Sequence, residues 1–102
     1  MVSIDFSQYF DNDRLLKDEM IKSMIENLDE LELAYFQSLE LKDSSYLLKA
    51  NHNMITTLAM LNSNELNRIV EDLKDPTVGP TAIFQYKKIK AEITFSLLAE
   101  RF

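Results

Sequence analysis

Leu15–Leu41 reads LLKDEMIKSMIENLDELELAYFQSLEL, and this stretch decides the fold class of the chain. Apolar residues recur at every third or fourth position, which predicts one long helix with a single buried stripe. Asp11–Asp13 offer side chains that cap its start. Asn27–Asp29 is a weak spot, although nothing there breaks a helix. The expected stripe consists of Leu16, Met20, Met24, Leu28, Leu31, Tyr35 and Leu39.

Further helices are predicted on both sides of this stretch. A short extra helix before it is indicated by three aromatic residues at helical spacing: Phe6, Tyr9 and Phe10. After it, the polar residues 42–45 signal a turn, and Asp43 or Ser44 is expected to cap the next helix. That third helix is predicted to run unbroken to Leu61, with one apolar face formed by Leu47, Ala50, Met54, Leu58 and Leu61.

Polar and proline residues divide the remainder of the chain. Asn62–Asn64 is suited to capping and precedes a fourth apolar stripe of Leu66, Ile69, Val70 and Leu73. This helix is expected to end near Asp75, because Pro76 disfavours helical geometry in the residue before it. After a loop over 75–80, a last helix to the C-terminus is predicted from Ile83, Tyr86, Ile89, Ile93 and Leu97. The pattern predicts an all-α, antiparallel four-helix bundle with a short extra N-terminal helix, in one domain over residues 1–102.

The composition supports this fold class and excludes several functions. With one glycine and two prolines in 102 residues, the chain lacks the turn residues of an all-β protein. It has no cysteine, which excludes disulfides, thiolate metal sites and thiol catalysis. A net charge of −6 disfavours nucleic acid and anionic membranes as partners. No apolar run of about 20 residues and no basic-then-apolar leader is present, so we expect a cytoplasmic protein.

His52 is the one histidine of the chain and lies within the third predicted helix. At about 100° per residue, it points away from the apolar face that contains Met54. It is therefore either a surface residue without a role or an exposed imidazole that acts as a nucleophile. A metal site is disfavoured, because no carboxylate lies three or four residues from His52 and no cysteine is present. A glycine-rich phosphate loop is excluded by composition.

The surroundings of His52 resemble the histidine-containing phosphotransfer (HPt) domain, a four-helix bundle of phosphorelay signalling. That family reads roughly H-x-x-K-G-S-[SA], followed by a Gly-Ala or apolar step and a leucine. Leu66 lies at the leucine position, fourteen residues after His52, and Asp43 matches the acidic residue that opens the family's helix. The resemblance runs without gaps over about residues 24–74, and the order of the helices extends it further.

The lysine and the glycine of the family motif are replaced in this chain. Ile55 occupies the place of the lysine that helps hold the phosphoryl group, and Thr56 occupies the place of a glycine that lets a partner approach. Thr57 occupies the serine position. A threonine hydroxyl can still bond to phosphate, and Lys49, one helical turn before His52, can supply positive charge. Lys49, Ile55 and Thr56 are thus the expected neighbours of the phosphoryl group.

The resemblance implies that His52 accepts a phosphoryl group from an aspartate of a response-regulator receiver domain and passes it to another receiver. A hybrid histidine kinase would feed this relay. The receiver supplies the Mg²⁺ and the cationic groups, so no cofactor and no metal is expected on this chain. Leu48 and Ala59 would form part of an apolar docking patch with Ile55. The implied protein is a monomer and a phosphotransfer protein rather than a free-standing enzyme.

Two alternatives stay open at this point. The chain can be an HPt-like pseudo-phosphotransfer domain or a purely structural interaction bundle, in which His52 transfers nothing. The apolar residues Leu48, Ile55 and Ala59 can also pack against a neighbouring helix rather than form a docking patch.

Overall fold

The computed structural model describes residues 14–100, and the described chain is all-helical with no strand. The predicted short helix around Phe6, Tyr9 and Phe10, and the capping residues Asp11–Asp13, lie outside the described residues. The five helices of the described residues are α1 (Arg14–Leu41), α2 (Ser45–Asn53), α3 (Ile55–Leu61), α4 (Asn64–Asp72) and α5 (Gly79–Glu100).

The turn between α1 and α2 is held by one side chain of α1 and one of the turn itself. Lys42 adopts a left-handed conformation with φ of 52°, which ends α1. As predicted, Asp43 stabilises the start of α2: its Oδ1 accepts a hydrogen bond from the Ser45 backbone N–H at 2.9 Å. That bond holds the pKa of Asp43 below its usual value. Ser44, the alternative cap, makes no side-chain capping bond, and Ser38 of α1 instead accepts from the Leu47 N–H at 3.0 Å.

The turn between α3 and α4 follows the predicted capping chemistry. Asn62 is left-handed, with φ of 47°, and its N–H donates to the Leu58 carbonyl at the end of α3. The Ser63 hydroxyl then accepts a hydrogen bond from the Leu66 N–H at 3.2 Å, which satisfies one of the free donors at the start of α4.

Ser63→Ala is expected to lower the free energy of unfolding by about 1 kcal/mol, because the Leu66 N–H loses its capping acceptor. Ser44→Ala is the matched control, since Ser44 occupies the same position before α2 but caps nothing. Chemical denaturation followed by circular dichroism measures both. Equal losses for the two variants would contradict a specific role of the Ser63 cap.

The predicted loop over 75–80 is displaced toward the N-terminus. α4 ends at Asp72, and α5 already begins at Gly79, with Pro80 in its first turn, where a proline's missing N–H costs nothing. Asp75 Oδ1 accepts a hydrogen bond from Thr77 N–H at 2.8 Å within the turn. Gly79 is buried, and a Cβ there would lie 3.3 Å from the Tyr35 hydroxyl, so the one glycine marks a close approach of α5 to α1.

α1 runs antiparallel to α5. Near one end of the pair, the Lys17 ammonium lies 3.3 Å from the Glu100 carboxylate. Further along, Lys90 Nζ lies 2.9 Å from Asp29 Oδ1 and 3.3 Å from Glu32 Oε1. Burial lowers the pKa of Lys90, but its hydrogen bonds to the two carboxylates outweigh this effect and the net shift is upward. Along these contacts the residue numbers rise on α1 and fall on α5, as an antiparallel pair requires.

Tyr86 ties the same two helices together inside the core. Its side chain is completely buried, and its hydroxyl donates a hydrogen bond to the Leu28 carbonyl of α1. Burial, reinforced by the carboxylates of Glu32 and Asp29, raises the pKa of Tyr86 far above its ordinary value. The phenol therefore stays protonated and able to donate.

One hydrophobic core joins the described helices, and it confirms most of the predicted apolar positions. Two positions of the α1 stripe were wrong: Leu16 and Leu39 are exposed. Met20 and Leu58 are only partly buried. The core is formed by Ile21, Met24, Leu28, Leu31, Ala34, Tyr35, Leu47, Ala50, Met54, Met60, Leu61, Leu66, Ile69, Val70, Leu73, Ala82, Ile83, Tyr86, Ile89, Ile93 and Leu97.

The length of α1 explains the two wrong positions. α1 has 28 residues, is about 42 Å long and extends beyond the ends of the shorter helices packed against it. Asn27 pairs with Thr57, so the antiparallel register places the end of α3 several residues short of Leu16 on α1. Leu39, near the other end of α1, lines an open cleft instead of meeting a helix.

Candidate functional site at His52

The predicted third helix is divided in two immediately after the candidate site. α2 ends at Asn53 and α3 begins at Ile55, so His52 lies in the last turn of α2 rather than mid-helix. At the break, the Met54 N–H donates to the Asn51 carbonyl at 3.1 Å, one residue nearer than in an α-helix. Asn51 also donates through its side chain to the Leu47 carbonyl. Asparagine and threonine are weak helix formers that compete for backbone groups, and they cluster at this break.

The imidazole of His52 is exposed, on the side of α2 opposite to the buried residues Leu47 and Ala50. Within residues 14–100 no partner hydrogen-bonds to it. The prediction that His52 projects outward is confirmed. An exposed imidazole on a helix packed against α1 is accessible to a partner without any rearrangement of the core.

The other predicted site residues share this exposed face. Leu48 is 57% exposed and Ile55 is 60% exposed, and they lie four residues before and three residues after His52. Lys49, Thr56 and Ala59 are also exposed. Among the helices of residues 14–100, none packs over these apolar residues, so that alternative is not supported by the described part of the chain. We call the six residues His52, Leu48, Lys49, Ile55, Thr56 and Ala59 the histidine face.

The charge of the histidine face comes from a single side chain. Lys49 is one helical turn from His52, and it is the only ionisable residue of the histidine face besides His52. Within the described part of the chain, Lys49 enters none of the ion pairs. This face by itself thus offers one positive charge to an anion, and a phosphoryl group there would need further neutralisation from a partner.

Three polar residues of α1 hold the histidine face in place, through hydrogen bonds that the apolar pattern of the sequence did not predict. Asn27 Nδ2 donates to the hydroxyl of buried Thr57 at 3.1 Å. Asn53 Nδ2 donates to Glu30 Oε1 at 3.4 Å, and Ser38 accepts from the Leu47 N–H. These bonds hold both ends of α2 and the first turn of α3 against α1. The signal available in the sequence was the weak spot at Asn27–Asp29, where a polar residue interrupts a run of good helix formers.

Thr57 and Thr56 differ in what their hydroxyls can do. Thr57, at the serine position of the resemblance, is turned into the protein toward Asn27 and is buried. Thr56 is exposed. Of the two hydroxyls, only that of Thr56 is open to a group from outside the protein.

A cleft of about 430 Å³ lies at the end of the molecule where α1 and α4 finish. No residue of the histidine face lines it. Its two aspartates, Asp43 and Asp75, both accept backbone N–H bonds in the turns that they stabilise. Among residues 14–100 no group of three or more His, Asp or Glu side chains is arranged to hold a metal ion, and no helix has the length and apolarity needed to cross a bilayer. The cleft is thus a by-product of two capped turns, and the histidine face remains the candidate site.

No family model, curated protein or solved structure matches this chain. The HPt resemblance therefore rests on the sequence pattern of this chain alone.

Proposed function

We propose that the chain is a phosphorelay intermediate that accepts a phosphoryl group on His52 from a receiver-domain aspartate and passes it to another receiver. The observation that supports this most directly is the exposed imidazole, flanked by the exposed apolar side chains of Leu48 and Ile55. A nucleophile on a convex helix face has no cleft of its own, so its chemistry must be completed by a partner that brings one.

The proposed step is an in-line displacement at phosphorus. A ring nitrogen of His52 attacks the phosphorus of the aspartyl phosphate, the N–P bond forms, and the P–O bond to the carboxylate breaks with its electron pair leaving on the aspartate. Such a transfer depends on positioning and on charge neutralisation. This chain contributes the braced helix, Lys49 and the Thr56 hydroxyl, and the receiver contributes its metal and cationic groups.

The fold that we propose for this function is an antiparallel four-helix bundle in which α2 and α3 together count as one helix. The antiparallel contacts of α1 with α5 and with α2–α3 support it. We place the protein and its receiver and kinase partners in the cytoplasm.

Incubation with phosphoramidate, a small donor for accessible histidines, is expected to add one acid-labile phosphoryl group to the wild type and none to His52→Gln. Intact mass and acid lability measure this, and a panel of receiver domains then serves as acceptors. The His52→Gln variant also controls for modification at any other residue. A folded wild type that remains unmodified, or a label that persists in His52→Gln, would refute the role of His52.

A second candidate is a binding bundle that docks receivers without transfer. The replacement of the motif lysine by exposed Ile55 favours it, because an isoleucine cannot hold a phosphoryl group. In that case receivers bind the wild type and His52→Gln equally well and exchange no phosphoryl group with either.

A further inference from the structure

α5 carries two apolar faces. One is buried in the core and includes Tyr86, Ile93 and Leu97. The other consists of Phe84, Lys88, Ala91, Phe95 and Leu98, spaced alternately by four and three residues, and we call it the outer stripe of α5. All five of these residues are exposed, Phe84 at 70% and Phe95 at 73%.

A second stripe with this spacing is typical of a helix that packs against another helix, since an average period of 3.5 residues keeps one seam facing the partner. Within residues 14–100 no element covers it, and a shallow depression lies at Ala91, Glu92, Phe95 and Ser96. Two phenylalanines more than two-thirds exposed on one helix face are unusual for a surface that meets only water.

We propose that the outer stripe pairs antiparallel with the outer stripe of a second copy of this chain, with the two helices crossing at Ala91. Ala91 is the middle residue of the stripe, and its small side chain allows a close approach. In this arrangement Phe84 of one copy meets Leu98 of the other, and Lys88 meets Phe95. Each contact occurs twice, as two-fold symmetry requires.

Charge selects the antiparallel orientation and a second copy as the occupant. A parallel pair would place Lys88 against Lys88 in the seam, where like charges repel. The antiparallel pair places each Lys88 over a Phe95 ring, so the stripe is complementary to itself. The chain already makes this interaction internally: Lys87 Nζ lies 5.0 Å from the centre of the Phe36 ring.

The area limits the strength of the dimer. Two largely exposed phenylalanines per copy, with Leu98 and the lysine stems, bury on the order of 1,000 Å² in total, which is near the lower end for a specific interface. We therefore expect weak, reversible association, strengthened by salt because each copy carries a net charge of −6. This replaces the monomer that the HPt resemblance implies, and it is independent of any phosphoryl transfer.

Sedimentation equilibrium of the full chain, from micromolar to millimolar concentration, tests the association. We expect a monomer–dimer equilibrium in the wild type and a self-association constant at least tenfold weaker in Phe95→Glu. Leu33→Glu is the matched control, because Leu33 is 59% exposed on α1 and lies outside the stripe. A wild type that stays monomeric throughout overturns the proposal. An equal effect of Leu33→Glu overturns it as well.

Cysteine cross-linking tests the orientation, since the chain has no cysteine of its own. Under mild oxidation, Ala91→Cys is expected to form a disulfide-linked dimer. A mixture of Phe84→Cys and Leu98→Cys is expected to give mainly the mixed dimer. Predominant homodimers in that mixture would overturn the antiparallel arrangement, and a dimer that forms equally well through Leu33→Cys would show unspecific collision.

Discussion

Tyr86→Ala is expected to lower the free energy of unfolding by about 3–5 kcal/mol, the largest loss for a single substitution on α5. Tyr86 is completely buried where α5 packs against α1, and its removal leaves a cavity between two helices. The substitution also deletes the hydrogen bond from the Tyr86 hydroxyl to the Leu28 carbonyl. Urea denaturation at a single low protein concentration, at which the chain is monomeric, measures the change.

Phe84→Ala is the matched control, because it removes an aromatic ring of similar size from the opposite side of the same helix. Phe84 is exposed, so its loss is expected to cost about 0.5 kcal/mol or less. Tyr86→Phe keeps the ring and removes the hydroxyl, and a loss of about 1 kcal/mol would isolate the hydrogen bond. If Phe84→Ala destabilised the monomer as much as Tyr86→Ala, the assignment of the buried face of α5 would be wrong.

The sequence was sufficient for the helices that have long, regular apolar stripes. α1 was predicted because its stripe repeats over many turns. Capping was predicted within Asn62–Asn64 and at Asp43 or Ser44 because capping chemistry is local, and the structure shows Ser63 and Asp43 as the residues that accept the bonds. The outward projection of His52 was predicted for a similar reason, since position around a helix follows from residue spacing alone. Spacing did not decide whether Leu48, Ile55 and Ala59 are exposed, because that depends on where the neighbouring helices lie.

Features that depend on tertiary contacts were not predictable in this way. Leu16 has the spacing of a core residue, but whether a helix covers it depends on where α3 stops along α1. The break at Met54 depends on several weak preferences in neighbouring residues, none of which is decisive. The hydrogen bond from Asn27 to Thr57 joins residues thirty positions apart, and only the register of two helices brings them together.

The two exposed apolar surfaces, on the histidine face and on α5, are compatible with each other. Each lies opposite the buried side of its own helix, and α1 packs against both helices through different contacts. A receiver bound at His52 would not need the outer stripe, and a dimer formed through α5 would keep its two His52 side chains accessible. Substitutions on one surface are therefore expected to leave the other function intact.

If the proposed function holds, Leu48→Asp is expected to weaken the productive docking of a receiver strongly, while His52 remains chemically reactive. A central apolar anchor contributes about 2–4 kcal/mol to a protein interface, so transfer should fall by about 30- to 1,000-fold. Because Leu48 is exposed, the fold should persist, and labelling of His52 by phosphoramidate, which needs no docking, should continue. Leu33→Asp, at nearly the same exposure on α1, is the matched control and should transfer normally.

Leu48→Lys separates the loss of apolar contact from the repulsion of phosphate by a new carboxylate. If docking is apolar, Leu48→Lys transfers as poorly as Leu48→Asp, because both variants bury a charge against an apolar surface of the receiver. If instead Leu48→Lys transfers as well as the wild type, the defect of Leu48→Asp comes from charge next to His52, and the apolar docking patch is refuted. Retained transfer in a folded Leu48→Asp variant refutes it directly.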